Sequence, residues 1–352
     1  MDNFIRDKTL GFFVKTKGIF SKRILGGQGH IFMLHRVLPE DQRKEYVFNK
    51  DLAITPEYLE ECINYFYKKD YDFISLDELY QIVTKKKKLN KKFVVFTLDD
   101  GYRDNIEFGK PVFEKYNIPF TIYVTTCFPD NNAVLWWYLL ENKINETDTL
   151  LFPTNEGDQQ FSWTNKAEAA TCYSELSGLI KNLPKENFRH SVKSILQIEN
   201  QNITELCVKN ALTWEEIKVA SDHPLITIGA HSLNHLPLAN LTENEAFEEM
   251  MESKRIIENK IQKKVEHFAY PYGGLSDANQ REYFLAKKTG FKTATINYPG
   301  NIFYSSSQHT ECLPRMPLGN TTTLEKLENI INGITHFGAN GFNKYIKHEN
   351  QQ

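Results

Sequence analysis

The chain lacks the features of membrane-spanning and disulfide-built proteins. Nowhere in its 352 residues does an apolar run reach the ~18 residues expected of a membrane-spanning helix. Its five cysteines are widely spaced and include no C-x-x-C pair, which argues against a disulfide scaffold or a cysteine-type zinc site. The apolar stretch from Leu10 to Phe20 is interrupted by Lys15 and Lys17, and no small-residue cleavage site follows. We therefore expect free thiols and a cytoplasmic location.

The chain also lacks an excess of charge of either sign. Its 42 basic and 45 acidic residues leave a net charge of −3, which argues against a protein built mainly to bind nucleic acid. No internal repeat or long low-complexity segment is present, and the apolar fraction of 41% is that of a folded globular chain. The length is sufficient for one large domain or two ordinary ones.

Short apolar runs alternate with helix-like stretches along most of the chain. Strands are predicted at residues 31–34, 71–74, 93–98, 120–124, 225–228, 267–270 and 291–296. Helices are predicted at 55–69, 76–84, 111–116, 243–261 and 277–289. This alternation predicts a mainly parallel sheet with helices outside it. About seven such units favour an α/β fold of the distorted (β/α)7 barrel type.

Residues from about 130 to 213 break this rhythm, and we interpret them as a helical insertion on the loop face of the barrel. Helices are predicted there at 166–181 and 185–197, with no good strand. The predicted organisation is a basic amphipathic segment at 1–28, the barrel at 29–320 and a C-terminal helix and tail at 321–352.

Three polar groups follow predicted strands. Asp99 and Asp100 end the apolar run at 93–98; they could form a simple Asp-Gly turn, but adjacent carboxylates repel unless a cation or a shared proton intervenes. His231 and His235 follow the run at 225–228 and would share one face if the segment were helical, although they could be ordinary helix-end histidines. The third group, Tyr270-Pro271-Tyr272-Gly273, is by itself only a loop.

The three groups are more specific together than apart. The carboxyl ends of parallel barrel strands converge on one face, where active sites are built. One carboxylate and two imidazoles there form a three-ligand metal site with open positions, and the second carboxylate remains available as a base.

These segments resemble the polysaccharide deacetylase family, also called the NodB-homology domain of carbohydrate esterase family 4. Thr97-Leu98-Asp99-Asp100 resembles its T-F-D-D motif, His231-Ser232-Leu233-Asn234-His235 matches H-[ST]-x-x-H, and Tyr270-Pro271-Tyr272-Gly273 resembles its third motif. Flanking segments that also fit are Leu34-His35-Arg36-Val37, Leu135-Trp136-Trp137, Trp214-Glu215-Glu216-Ile217 and Leu313-Pro314-Arg315. The likeness runs from about residue 29 to 318.

The resemblance implies a divalent metal, usually zinc, and hydrolysis of an N-acetyl group from an amino sugar. By position it makes Asp99 the catalytic base, and it makes Asp100, His231 and His235 the metal ligands. It also gives the backbone N–H of Tyr272 a role in holding the oxyanion. We extend the oxyanion and substrate-binding set to Tyr270 and Trp136, which lie in matching segments.

Two features depart from the family pattern. Ala269 stands where an arginine commonly orients the base, and the late leucine–histidine motif that supplies the general acid has no clear counterpart. We predict that Arg315 replaces the missing arginine by reaching Asp99. For the general acid we choose His35, which closes the first predicted strand, although it could merely hydrogen-bond within the mouth.

Three functions fit the sequence. The leading one is a metal-dependent N-deacetylase acting on an amino sugar of an envelope glycan precursor, lipid-linked or nucleotide-linked. The alternatives are a hydrolase of a small cyclic amide or imide, which fits a third motif without the arginine, and a catalytically inactive carbohydrate-binding barrel. We expect no nucleic-acid partner. The basic, apolar-rich segment at 1–28 could contact an anionic membrane or pack against the barrel.

Overall fold

The computed structural model describes residues 25–334 except 45, 86–88, 155, 304 and 307–308. The predicted segment at 1–28 therefore lies almost wholly outside the described residues. The strands are β1 (Gly29–Leu34), β2 (Arg36–Val37), β3 (Ala53–Ile54), β4 (Asp72–Phe73), β5 (Phe93–Leu98), β6 (Phe120–Val124), β7 (Thr149–Thr154), β8 (Gly157–Ser162), β9 (Ile226–Ala230), β10 (His267–Ala269), β11 (Thr293–Ile296), β12 (Leu313–Pro314) and β13 (Met316–Pro317).

One large sheet forms the frame, in the order β12-β11-β10-β9-β6-β5-β1-β13, with β4 added beside β5. All of its strand pairs are parallel. The two end strands are consecutive in the chain and only Arg315 separates them, so the sheet curls nearly into a ring. With these two counted as one strand and the added β4 set aside, the ring has the seven strands of the predicted distorted (β/α)7 barrel.

Helices surround this sheet, and side-chain caps mark several of their starts. They are α1 (Glu40–Arg43), α2 (Pro56–Lys68), α3 (Leu76–Thr84), α4 (Lys110–Lys115), α5 (Trp136–Glu146), α6 (Lys166–Lys181), α7 (Phe188–Leu196), α8 (Asn200–Asn210), α9 (Trp214–Ser221), α10 (Glu243–Ile261), α11 (Gln280–Lys288) and α12 (Leu324–Ile331). Thr55 caps α2 ahead of Pro56, and Thr242 with Glu245 forms a capping box on α10.

Alternation along β5 directs its side chains to two different cores. Val94, Phe96 and Leu98 pack between the sheet and the helices, whereas Val95 lies in the smaller core inside the barrel. Because successive strand residues face opposite sides, Thr97 and Asp99 continue the inward face of Val95. The alternation along the strand thus directs the carboxylate of Asp99 into the barrel mouth.

The insertion is not purely helical. Strands β7 and β8 form an antiparallel hairpin within it, so the prediction of no strand there was wrong. Only Leu150 and Phe152 of β7 and Phe161 of β8 are buried, and the other residues of the hairpin are largely polar and exposed. Such a hairpin carries little of the continuous apolar signal that buried strands show. The hairpin and helices α5 to α8 share their own apolar core.

None of the helices in the described part of the chain has the length and apolarity that crossing a membrane requires.

Candidate active site

The two aspartates stand at the carboxyl end of β5. The Asp99 N–H donates to the Leu34 carbonyl at 2.9 Å, which continues the pairing of β5 with β1. The chain then turns sharply, with Asp100 at φ 77° and Gly101 at φ 86°. Left-handed backbone is strained for a residue with a Cβ, and such strain concentrates at functional sites. The turn directs the two carboxylates to different partners.

Asp100, His231 and His235 come together as one group of possible metal ligands. Asp100 Oδ1 lies 3.5 Å from His231 Nε2 and 3.2 Å from His235 Nε2. The histidines lie on a loop after β9 rather than on a helix, so the helical interpretation of their spacing was wrong. Ser232 at φ 64° and His235 at φ 56° fold this loop back so that both rings face Asp100.

The hydrogen bonds around this group suit a cation. His231 Nδ1 donates to the Ala269 carbonyl at 2.8 Å, since a carbonyl can only accept, and this leaves a lone pair on Nε2. Burial lowers the pKa of His231 to about 4, so the ring is neutral at pH 7. Asp100 Oδ1 is buried and has no hydrogen-bond partner among the described residues. A divalent ion would bind both the lone pair of His231 Nε2 and the unpartnered Oδ1 of Asp100.

A buried carboxylate that the sequence analysis missed holds the histidine loop. Glu249 of α10 is 1% exposed and accepts hydrogen bonds from the N–H groups of Leu233 and Asn234 at 3.0 and 2.9 Å. It also accepts from the Asn234 side chain at 2.7 Å. This side chain therefore fixes the loop between the two histidines. A glutamate in the middle of a predicted amphipathic helix carried no signal that it would face inward.

Asp99 is held by an arginine from a distant part of the chain, between β12 and β13. Arg315 donates to both carboxylate oxygens, Nη1 to Oδ1 at 2.6 Å and Nη2 to Oδ2 at 2.7 Å. Nη1 also reaches Thr97 Oγ1 at 3.2 Å, and the guanidinium carbon lies 5.5 Å from the centre of the Tyr123 ring. Bidentate pairing fixes both the position and the plane of the carboxylate. Arg315 thus occupies the place that we predicted for it.

The charge state of Asp99 follows from this pairing. Burial alone would raise the pKa of Asp99, but Arg315, with smaller contributions from His231 and His35, outweighs burial and holds that pKa below its usual value. Asp99 is therefore ionised at neutral pH, as a base must be. Burial also opposes ionisation of Asp100, and His235, His35 and His231 lower its pKa well below the usual range.

Replacing Arg315 should move the acidic limb of the pH–rate profile. A base works only above its pKa, and with Arg315 gone the effect of burial on Asp99 is less opposed, so this pKa rises. We expect the acidic limb of kcat/KM to move up by about 1–3 pH units in Arg315→Gln, the usual effect of an adjacent arginine on an aspartate. Arg315→Lys keeps the charge without the bidentate geometry and should shift less. An unmoved acidic limb in both variants would contradict the role.

His35 lies at the same mouth, directly after β1. Its imidazole is close enough to help lower the pKa of both Asp99 and Asp100, and its carbonyl accepts from the Asn105 side chain at 2.8 Å. The side chain is half-buried. Position therefore permits the predicted role of general acid, and the role itself stays a prediction.

Loss of His35 should remove the alkaline limb of activity. A general acid must be protonated, and proton transfer of this kind contributes roughly 10²–10⁴-fold to rate. We expect His35→Ala to lose a factor in that range in kcat and to flatten the fall of activity at high pH. His35→Gln can hydrogen-bond but cannot titrate, so this variant distinguishes a general acid from a residue that only hydrogen-bonds within the mouth. Full activity with an unchanged alkaline limb in His35→Gln would show that His35 only hydrogen-bonds.

The insertion and the third motif form one wall of the mouth. The Tyr272 ring lies 4.8 Å from the His235 ring, and the Tyr272 hydroxyl accepts from Trp136 Nε1 at 3.2 Å. Lys181 of α6 stands 4.8 Å from the centre of the same tyrosine ring. Tyr272 lies in the loop that follows β10 and has a left-handed backbone, with φ 60°. Tyr272 therefore lies beside the candidate metal ligands with Trp136 bonded to it, and the predicted oxyanion and substrate-binding roles of both residues stay predictions.

Tyr270 does not line the mouth, which corrects the prediction for this side chain. Its hydroxyl donates to the Glu311 carbonyl at 2.8 Å, and its ring packs against Phe268 and Tyr283 in the core between sheet and helices. The side chain is 1% exposed. The physical reason is that Tyr270 stays on the outward face of the chain leaving β10, as Phe268 does two residues earlier.

A buried polar network, also missed from the sequence, ties the insertion to the barrel. Arg36 pairs with Asp104 at 2.8 Å and donates to Asn210 of α8 at 2.7 Å. It also reaches the hydroxyls of Tyr46 and Tyr138 at 3.1 and 3.3 Å. These partners are far apart in the chain, so no local pattern could reveal them.

Barrels of parallel strands carry active sites at the face where these residues meet. A ligand group for a cation beside a separate, ionised and oriented carboxylate is an arrangement typical of barrel hydrolases. Comparison with known proteins narrows this class. Residues 86–294, more than half of the chain, match the family model described as Polysaccharide deacetylase. The chain therefore belongs to the polysaccharide deacetylase family, hydrolases of carbon–nitrogen bonds other than peptide bonds.

Individual relatives are distant in sequence. YxkH of Bacillus subtilis (strain 168), which is assigned to the polysaccharide deacetylases, is 22% identical over 249 residues; the match covers 71% of this chain and only 60% of the relative. The fold is similar to that of Streptococcus pyogenes deacetylase PplD in complex with acetate, with a TM-score of 0.56 and 15% identity over 86% of this chain and 97% of that one. It is also similar to IcaB from Ammonifex degensii, with a TM-score of 0.55 and 14% identity over 87% and 97%.

Proposed function

We propose that the protein is a metal-dependent N-deacetylase that removes the acetyl group from an amino sugar of an envelope glycan precursor. The observation that carries the proposal is the division of labour between the two aspartates. Asp100 faces two imidazoles, whereas Asp99 is held apart by Arg315 and is ionised. Family membership supports an N-acetylated carbohydrate as substrate.

The side chains present fit a divalent ion held by Asp100, His231 and His235. Two imidazole nitrogens and one carboxylate oxygen suit zinc, and they leave open positions for water and substrate. When bound, the ion would polarise the acetamide carbonyl and make the attacking water more acidic. Metal dependence and zinc as the ion are parts of the proposal.

The residues of the chain then have separate tasks. Asp99 accepts a proton from the water that adds to the acetamide carbon, and Arg315 keeps its carboxylate oriented and charged. The backbone N–H of Tyr272 donates to the oxygen on which negative charge develops. His35 gives a proton to the sugar nitrogen as the carbon–nitrogen bond breaks, so the products are acetate and a free amine.

The observation that favoured a hydrolase of cyclic amides or imides no longer separates that function from N-deacetylation. That alternative rested on a third motif without its arginine, and Arg315 supplies a guanidinium to Asp99 from another strand. An inactive sugar-binding barrel gains nothing from keeping a paired, buried base beside three ligands.

A substrate screen with metal-reconstituted protein tests the proposal. Acetate release is measured from N-acetylglucosamine oligomers and from nucleotide-linked and lipid-linked N-acetylated sugars, and ring opening is measured on cyclic imides such as hydantoin. We expect acetate release and no ring opening. Ring opening without acetate would replace the proposed reaction with the cyclic amide alternative, and inactivity on all of these compounds would favour the binding barrel.

A further inference from the structure

A cavity of about 200 Å³ adjoins the candidate metal ligands, between the insertion and the histidine loop. His235 is part of its lining, so a molecule in this cavity lies directly beside the ligand group. Aromatic rings make up much of the wall: Phe128, Trp136, Trp137 and Phe188. Such a wall suits the apolar faces of a sugar ring.

Two cations of the insertion also line this cavity. Lys185 lies just before α7, and Arg189 lies at the start of this helix, about one turn further along. Arg189 Nη1 donates to the carbonyl and side-chain oxygens of Asn132 at 3.3 and 3.1 Å, and Nη2 donates to Thr204 Oγ1 at 3.1 Å. These acceptors are neutral. In the described part of the chain no ion pair involves Arg189, so no carboxylate offsets its charge.

Lys185 is only loosely paired. Its Nζ stands 3.8 Å from both Glu245 and Glu249, which is longer than a hydrogen bond. Glu249 already accepts three hydrogen bonds from the histidine loop. The ammonium therefore has donors available for an anion in the cavity, and its side chain is 30% exposed.

Building on the proposed function, we propose that this cavity selects an N-acetylated amino sugar that carries an anionic group, a phosphate or a carboxylate. The aromatic wall holds the ring, and Arg189 and Lys185 bind the anion. Arginine pairs well with planar or tetrahedral oxyanions through parallel N–H donors, and two like charges beside one cavity raise the local concentration of anions. A neutral sugar would leave Arg189 with neutral acceptors alone and Lys185 with only its two carboxylates at 3.8 Å.

Binding to the metal-reconstituted Asp99→Asn full chain tests this inference without turnover. Calorimetry compares three probes: N-acetylglucosamine 1-phosphate, a disaccharide of N-acetylglucosamine and glucuronic acid, and neutral N,N′-diacetylchitobiose. We expect at least one of the anionic probes to bind about tenfold or more tightly than the neutral one, as charge-assisted hydrogen bonds require. The stronger of the two anionic probes identifies the group as phosphate or carboxylate.

Variants of Arg189 and Lys185 test whether these two residues cause the preference for anionic probes. Arg189→Gln and Lys185→Gln, each in the Asp99→Asn chain, should abolish most of the anionic preference. Arg189→Lys keeps the charge and should retain part of it, even though the contacts to Asn132 are lost. Lys193→Gln is the matched control, because Lys193 lies on the same helix, pairs with Glu199 and is not part of the cavity lining. It should leave the preference within twofold of the parent.

Failure of this inference differs from failure of the proposed function. Equal affinity for anionic and neutral probes, or a preference that survives both Arg189→Gln and Lys185→Gln, would overturn the anionic subsite even if the protein with Asp99 intact releases acetate. Tight, Arg189-dependent binding of an anionic probe without acetate release by the protein with Asp99 intact would keep the subsite and overturn the proposed reaction.

Discussion

Asp99→Asn should lower kcat by roughly 10²–10⁴-fold, the usual range for loss of a general base. The amide has the same shape as the carboxylate but cannot accept a proton from water. Asp100 and the two histidines are untouched, so the metal content should remain that of the parent protein. The measurement is kcat on the best substrate of the screen, with metal analysis of the same sample.

Arg315 complicates this variant, and a control is needed. Without Asp99 the buried guanidinium loses its anionic partner, so the variant should be less stable. Its thermal unfolding must be recorded to show that it is folded at the assay temperature. Asp104→Asn is a matched control, because it also removes a buried carboxylate from an arginine, Arg36, but away from the ligand group. Retained kcat in folded Asp99→Asn would refute the role of base.

Loss of the metal should abolish turnover. Chelation of the protein, or the variant His235→Ala, should reduce activity by more than the loss of any single proton-transfer group. We expect about one equivalent of divalent ion in the parent protein and much less in His235→Ala. Zinc added back should restore the chelated parent but not the variant.

Stability provides a readout of the same site that does not depend on activity. An ion that binds only the folded state stabilises it by about 2.7 kcal/mol at a free concentration of 100 times its Kd. Added zinc should therefore raise the Tm of the chelated parent and leave that of His235→Ala nearly unchanged. His190→Ala, which removes an exposed histidine of the insertion, should respond as the parent does. Full metal occupancy in His235→Ala would contradict the ligand assignment.

The frame of the barrel could be predicted because its signals are local. Buried strands such as 93–98 and 120–124 are continuous apolar runs, and helix 243–261 has a capping threonine, so their bounds agree with the structure. Because parallel strands end on one face, the sequence also located the mouth, where Asp99, Asp100 and the two histidines meet. The exposed hairpin of the insertion lacked such a run and was missed.

Contacts between distant segments were harder to predict. Arg315 could be proposed for Asp99 only because a place for an arginine was vacant at Ala269, whereas the inward-facing Glu249 and the network of Arg36 left no comparable gap. The left-handed backbone at Ser232 and His235 is also invisible in the sequence, and it is why two histidines four residues apart share a loop instead of a helix.

The most direct test of the account follows the fate of the acetyl group. The metal-loaded protein is incubated with an N-acetylglucosamine oligomer in ¹⁸O-labelled water, and acetate and free amine are quantified by mass spectrometry. Hydrolysis at the acetamide predicts acetate carrying a single labelled oxygen, in an amount equal to the new amine, and neither product after chelation. Acetate without a matching amine, or equal yields from the chelated protein, would contradict metal-dependent N-deacetylation.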